Sequence, residues 1–244
     1  MYMKNLYNKS NLWFSIIWII TYVILFSVAD NLSEKTGYMK SITVLVGVVL
    51  SIIIIIFLKK NNLLEKYGLC SFKGNLKSFL YFIPLLAILT VNLWNGIKMN
   101  TSVINTILFI ISMLCVGFLE EIIFRGFLFV SMSQNGLKSA IVMSSITFGI
   151  GHIVNLLNGG DFVPTLLQVF YAIAIGFLFT IMFYKSKSLI PCIIVHAVFN
   201  SLSIFSVENS SMTFDVITCI FLCVVSIGYA LWILKKTKTT KTEN

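Results

Sequence analysis

Residues 115–129, CVGFLEEIIFRGFLF, set Glu120, Glu121 and Arg125 inside an apolar run. On a helix, Glu121 and Arg125 stand at i,i+4 and pair on one face. Glu120 is turned about 100° from Glu121, so the two carboxylates point at different neighbours. The chain has two histidines, and each shares a helix face with a residue four positions away: Phe148 with His152, and His196 with Asn200. A carboxylate beside neutral imidazoles activates water as a general base. One histidine orients that water or gives a proton to the leaving amine, while an asparagine amide and the second histidine stabilise an oxyanion. Glu120, His152 and His196 also form an acceptable zinc ligand set, although the two-histidine HExxH pattern is absent. The sequence leaves metal-free and metal-bound water open.

These residues lie in a chain of 244 residues that is 58% hydrophobic and 11% charged, with mean hydropathy +0.94. A soluble domain carries about 25% charged residues. The apolar blocks are roughly 17 to 22 residues long, enough to cross a bilayer as helices. The expected fold class is therefore all-α and polytopic, with about eight transmembrane helices and no soluble domain. The spans read as 12–29, 41–58, 77–94, 103–129, 139–157, 165–184, 189–206 and 214–234. The first run exceeds a signal-peptide core and reads as a retained span. Breaks fall at Asp30-Asn31, Lys59-Lys60-Asn61-Asn62, Asn135-Gly136, Asn158-Gly159-Gly160-Asp161 and Asn209-Ser210-Ser211. Pro164 and Pro191 open helices, and Pro84 is expected to kink the third span.

The net charge of +9 does not point to nucleic acid, because the lysines cluster at the ends of apolar blocks. With the N-terminus inside, 15 of the 18 lysines and arginines fall on the cytoplasmic side and 3, Lys35, Lys40 and Lys98, on the other. The count of 15 includes Arg125. Retention of positive charge inside then predicts a multi-pass cell-membrane protein with both termini cytoplasmic. Depth, taken from span ends, puts Glu120, His152 and His196 in the cytoplasmic half, in a pocket reached from inside. The five cysteines sit mostly inside apolar segments and read as small buried side chains, with no disulfide framework.

Charged residues in a span are costly and default to function. Read blandly, Glu120 and Glu121 would end a span at Leu119, but the run 122–130 stays apolar apart from Arg125 and Gly126. Glu120-Glu121-Ile-Ile-Phe-Arg125 resembles the EExxxR motif of the type II CAAX prenyl endopeptidase and bacteriocin-processing family, the CPBP or Abi-type membrane proteases. Phe148-Gly-Ile-Gly-His152 resembles its FxxxH motif, and His196-Ala-Val-Phe-Asn200 its HxxxN motif. Their order and spacing match in a polytopic chain. The resemblance covers 75–206 as a catalytic core, with 1–74 an N-terminal hairpin and loop, and 207–244 a last helix and basic tail.

The resemblance implies an intramembrane endopeptidase. It implies that Glu120 activates water with His152, that His196 and Asn200 surround the oxyanion, and that Glu121 and Arg125 support them, with Phe148 lining the substrate side. It implies no cofactor, with zinc as the alternative. The implied partners are the lipid bilayer and a peptide or protein substrate near the cytoplasmic leaflet. Abundant Ile, Lys and Asn point to an A/T-rich bacterial genome, where pheromone or bacteriocin precursors and surface-protein regulators replace prenylated tails. A non-catalytic immunity or regulatory protein on the same fold is the competing reading. An ion transporter fits less well, since no pair of interrupted spans recurs.

Overall fold

The computed structural model describes residues 2–207 and 211–237. Asn209 and Ser210 of the last expected break, and the tail lysines Lys238 and Lys241, lie outside them. Among the described residues the chain is helical, and its one β-type pairing is an isolated bridge between Ile97 and Ser206. The helices are α1 (Tyr2–Lys9), α2 (Asn11–Lys35), α3 (Ser41–Lys60), α4 (Ile83–Thr90), α5 (Val103–Glu120), α6 (Val130–Ser133), α7 (Leu137–Gly151), α8 (Val154–Leu157), α9 (Phe162–Ser186), α10 (Ile190–Leu202) and α11 (Met212–Lys236). A π-helical stretch, Glu121–Phe129, joins α5 to α6 without a break.

Among the described residues, seven helical segments are long and apolar enough to span a membrane. Backbone polar groups have no water to bond inside a bilayer, so the helix is the economical solution for each run. Polar caps set several starts: Ser10 Oγ accepts from the Trp13 amide at 3.2 Å, and Ser102 Oγ from the Asn105 amide at 3.3 Å. Large apolar side chains such as Ile24, Leu45, Leu86, Ile194 and Val224 are exposed on the outside of the bundle. An exposed apolar belt of this extent is what lipid contact requires.

Two expectations need correction. The seventh expected span, 189–206, is shorter than the rest: the apolar helix Ile190–Phe205 ends in a tight 3-10 turn at Ser203–Phe205. At 1.5 Å per residue its 16 residues cover about 24 Å, less than the hydrocarbon core. The turn is held from outside the helix, because the Lys98 amide bonds the Phe205 carbonyl at 2.9 Å. Pro84, expected to kink a continuous third span, instead stands in the first turn of α4. Its missing N–H costs nothing there. The break precedes it, where Leu80, Tyr81 and Phe82 all take left-handed φ values of 48°, 49° and 62°.

α2 and α3 pair with each other, α3 packs along α5, and α2 packs against the π-helical stretch. On the other side α9 is flanked by α7 and α11, and α10 lies on α5 and α4. The α5–α10 contact depends on Gly117, where a Cβ would stand 2.7 Å from the Ala197 amide nitrogen and 2.8 Å from its Cβ. Small residues allow such backbone approach between membrane helices.

The two ends of the bundle differ. Residues 61–75 fold back onto the α9–α10 turn, with the Lys73 amide bonded to Ser186 O at 3.1 Å and the Leu189 amide to Gly68 O at 2.8 Å. Gly68, at φ +76°, is pressed against Phe183 and Leu189, so a side chain there would meet both strain and a clash. Lys66, Lys73 and Lys187 consequently line one cavity with Glu65, Ser133 and Tyr184. Lys185 Nζ reaches Thr237 O at the end of α11. At the opposite end Lys40 pairs with Asp30 at 2.8 Å, and Asn100 bonds the Ile204 and Ser206 carbonyls.

Candidate active site

The π-helical stretch begins immediately after Glu120, and every residue of it is buried. Such segments widen the helix and occur frequently at functional sites. Glu121 and Arg125 pair within it, Nη1 to Oε1 at 3.0 Å, with neither side chain exposed. The guanidinium carbon lies 3.8 Å from the centre of the Phe148 ring. That stacking faces a cation whose Nε and Nη2 have no hydrogen-bond partner among the described residues. Arg125, counted above among the topogenic charges, belongs to the core instead.

His196 joins the two glutamates. Its Nδ1 lies 2.8 Å from Glu121 Oε1, and its Nε2 3.5 Å from Glu120 Oε2. A carboxylate accepts, so Nδ1 carries a proton. The second contact is an ion-pair distance and too long for a good hydrogen bond. Glu120 Oε1 is fixed by a different group, the Tyr22 hydroxyl of α2, which donates at 2.7 Å. Glu120 Oε2 therefore keeps no hydrogen-bond partner among the described residues.

His152 caps the end of α7, and its Nδ1 stands 3.1 Å from the Phe148 carbonyl. A carbonyl also only accepts, so this bond puts the proton of the neutral ring on Nδ1 and leaves Nε2 with a lone pair. Phe148 lies edge-on to both imidazoles, with centroids 5.2 Å from His152 and 5.7 Å from His196. α7 reaches this position through Gly149, where a Cβ would lie 2.9 Å from the Val169 carbonyl oxygen of α9. Gly151, by contrast, has open space around it and lines the chamber.

Two adjoining cavities meet here. The larger, about 330 Å³, is lined by Glu120, His152, Phe148, Asn200 and Tyr22 among others. The smaller, about 40 Å³, is lined by His152, His196, Asn200, Phe148 and the apolar wall of Phe179, Ile175 and Phe199. The structure thus brings all of the sequence-predicted site residues together. Glu120, His152 and Asn200 face the main chamber, His196 faces its side recess, and Glu121 and Arg125 sit behind as a closed ion pair. Tyr22 was missed by sequence reasoning, as were Ser112, Asn155 and Gln168 of the chamber wall. A lone tyrosine in the first apolar run gives no signal beyond interfacial anchoring.

The zinc alternative is not supported by the donor geometry. Among the described residues no three His, Cys, Asp or Glu side chains converge so as to hold a metal ion. Glu120 gives one oxygen to Tyr22, and His196 turns Nδ1 onto Glu121.

The chamber also runs in an unexpected direction. Its lining continues from Glu120 and Tyr22 to Asp30, Lys40, Asn158 and Ser203. These lie at the end of the bundle opposite the lysine-bearing loops, not toward them as depth counting proposed. Span four continues to Ser133, which puts Glu120 about 20 Å from the lysine-bearing end at α-helical rise.

No curated protein and no solved structure matches the chain. Residues 102–202 match the family model described as type II CAAX prenyl endopeptidase Rce1-like. The match contains Glu120, Glu121, Arg125, His152, His196 and Asn200 and leaves out α2 with Tyr22. Over this segment the chain is similar to the Rce1-like type II CAAX prenyl endopeptidases.

Proposed function

We propose that the chain is an intramembrane endopeptidase in which Glu120 activates water against a peptide bond. The observation that carries this reading is the orientation of Glu120: Tyr22 occupies Oε1, while Oε2 is left without a hydrogen-bond partner beside the chamber. Water held between Glu120 Oε2 and His152 Nε2 donates a hydrogen to each and turns its lone pair to the scissile carbonyl. Glu120 takes one proton as the C–O bond forms. Asn200, which lines both cavities, supplies a donor to the oxyanion, and His196, its Nδ1 proton held by Glu121, lines the side recess beside it. The C–N bond then breaks, and Glu120 returns the proton to the departing amine. Glu121 and Arg125 hold His196 in place and do not meet substrate. No step passes through a metal.

The substrate class is a membrane-associated peptide or protein, such as a pheromone or bacteriocin precursor or a surface-protein regulator. The apolar chamber wall of Val23, Phe26, Met113, Val116 and Phe124 suits a hydrophobic stretch of such a peptide. His152→Ala is the test, with the purified protein in liposomes and a library of quenched hydrophobic peptides. Cleavage should fall by about 10²-fold or more, within the range for losing a positioned proton-transfer partner. Full activity in His152→Ala would remove the histidine from the mechanism. Peptide binding without cleavage by the parent protein would instead favour an immunity or sequestering role.

A further inference from the structure

We infer that substrate enters the chamber from the extracytoplasmic side, so the cleaved segment belongs to a peptide that has already reached the outer leaflet. The inference rests on the proteolytic reading for its substrate, and on packing and charge for its direction.

The inner part of the chamber is lined by Tyr22, Glu120 and Phe124. Along α2 its lining passes through Phe26 and Ser27 to Asp30, and along α5 it passes back through Val116 and Met113 to Ser112. Each path is eight residues, about 12 Å at helical rise. Both lead to the same end of the bundle, where the exposed Asn158 and Ser203 complete the lining.

Charge is distributed in the opposite sense. With Arg125 buried, 12 described lysines lie at the far end: Lys4, Lys9, Lys59, Lys60, Lys66, Lys73, Lys77, Lys138, Lys185, Lys187, Lys235 and Lys236. The mouth end holds Lys35, Lys40 and Lys98, and Lys40 is neutralised by Asp30. An excess of this size fixes the lysine-rich end in the cytoplasm. The mouth therefore faces outward. Its rim of Asp30, Lys40, Asn155, Asn158, Gln168 and Ser203 is polar and suits a peptide backbone, while the apolar wall lies deeper.

Cysteine labelling tests this directly. Asn158→Cys and, separately, Ser203→Cys are placed in a Cys70→Ser background, with Lys60→Cys as the reference for the other end. Sealed right-side-out vesicles are treated with a membrane-impermeant maleimide. Asn158→Cys and Ser203→Cys should label in sealed vesicles, and Lys60→Cys only after detergent. The reverse pattern would overturn the inference. Labelling does not depend on catalysis, so a wrong direction of entry and a wrong mechanism give different failures.

The geometry points to a second assignment, independent of orientation: Tyr22 is a positioning residue for Glu120. It lies outside the family-matched segment, is buried, and donates to Glu120 Oε1 at 2.7 Å. By fixing one oxygen it fixes where the other points. Its ring also packs on Phe26, with centroids 4.5 Å apart, so packing and hydrogen bonding must be separated. Tyr22→Phe keeps the ring and removes the hydroxyl. It should lower kcat about tenfold, the scale of one hydrogen bond to a charged group, with KM within about twofold. Unchanged kcat in Tyr22→Phe, or equal losses in kcat and in thermal stability, would reduce Tyr22 to packing. Since the role acts through Glu120, activity retained in Glu120→Gln would defeat the base assignment itself, whatever Tyr22→Phe does.

Discussion

Glu120→Gln is expected to lower peptide cleavage by about 10³-fold, inside the range for removing a general base. The substitution is nearly isosteric. Its amide oxygen can still accept from Tyr22, so insertion and folding should survive. What it removes is the basic oxygen that Tyr22 leaves unbonded. Thermal melting in detergent should stay close to the parent value while the rate collapses. The contrast matters because the neighbouring Glu121 should behave differently. Glu121 is wholly buried between Arg125 and His196, and its loss should appear in stability as well as rate.

The second large effect is expected at Arg125. Its guanidinium has no exposure, pairs with Glu121 and stacks on Phe148. Arg125→Met leaves a buried carboxylate facing only the His196 ring nitrogen. Breaking such a pair from one side costs about 3–5 kcal/mol. Melting of the purified protein should fall accordingly, and cleavage should fall with it as His196 loses its anchor. The double variant Glu121→Gln with Arg125→Met should recover part of the stability, since no bare charge remains, without recovering activity. Additive losses in the double variant would show that the pair is not a coupled unit.

The sequence made the chemistry legible where it was local to one helix. Glu121 and Arg125 were expected to pair at i,i+4 and do so, even though the intervening turn is π-helical rather than α-helical. The convergence of His152, His196 and the glutamates followed from how unusual polar groups are inside apolar runs. Other features depended on packing that no spacing encodes. Tyr22 reaches Glu120 across 98 residues because α2 lies against the π-helical stretch. Its phenol resembles any interfacial tyrosine until that contact exists. The direction of the chamber was misjudged for a similar reason. Depth counted from span ends assumed that span four stops near residue 129, whereas the helix runs on to Ser133. The outer part of the chamber is instead made where α7 ends at Gly151, and Asn155 bonds Gln168 at 2.8 Å. The short α10 escaped notice because its composition matches a full span and the turn at Ser203–Phe205 carries no proline or glycine.

The central claim is that water, activated by Glu120, adds to a peptide carbonyl. The most direct measurement is cleavage by the liposome-reconstituted protein in ¹⁸O-enriched water, with mass spectrometry of both fragments. The account predicts a single ¹⁸O in the newly formed C-terminal carboxylate at the earliest time points, and no such fragment from Glu120→Gln. Equal fragment yield and label from Glu120→Gln, or peptide bound by the parent protein yet never cut, would contradict it.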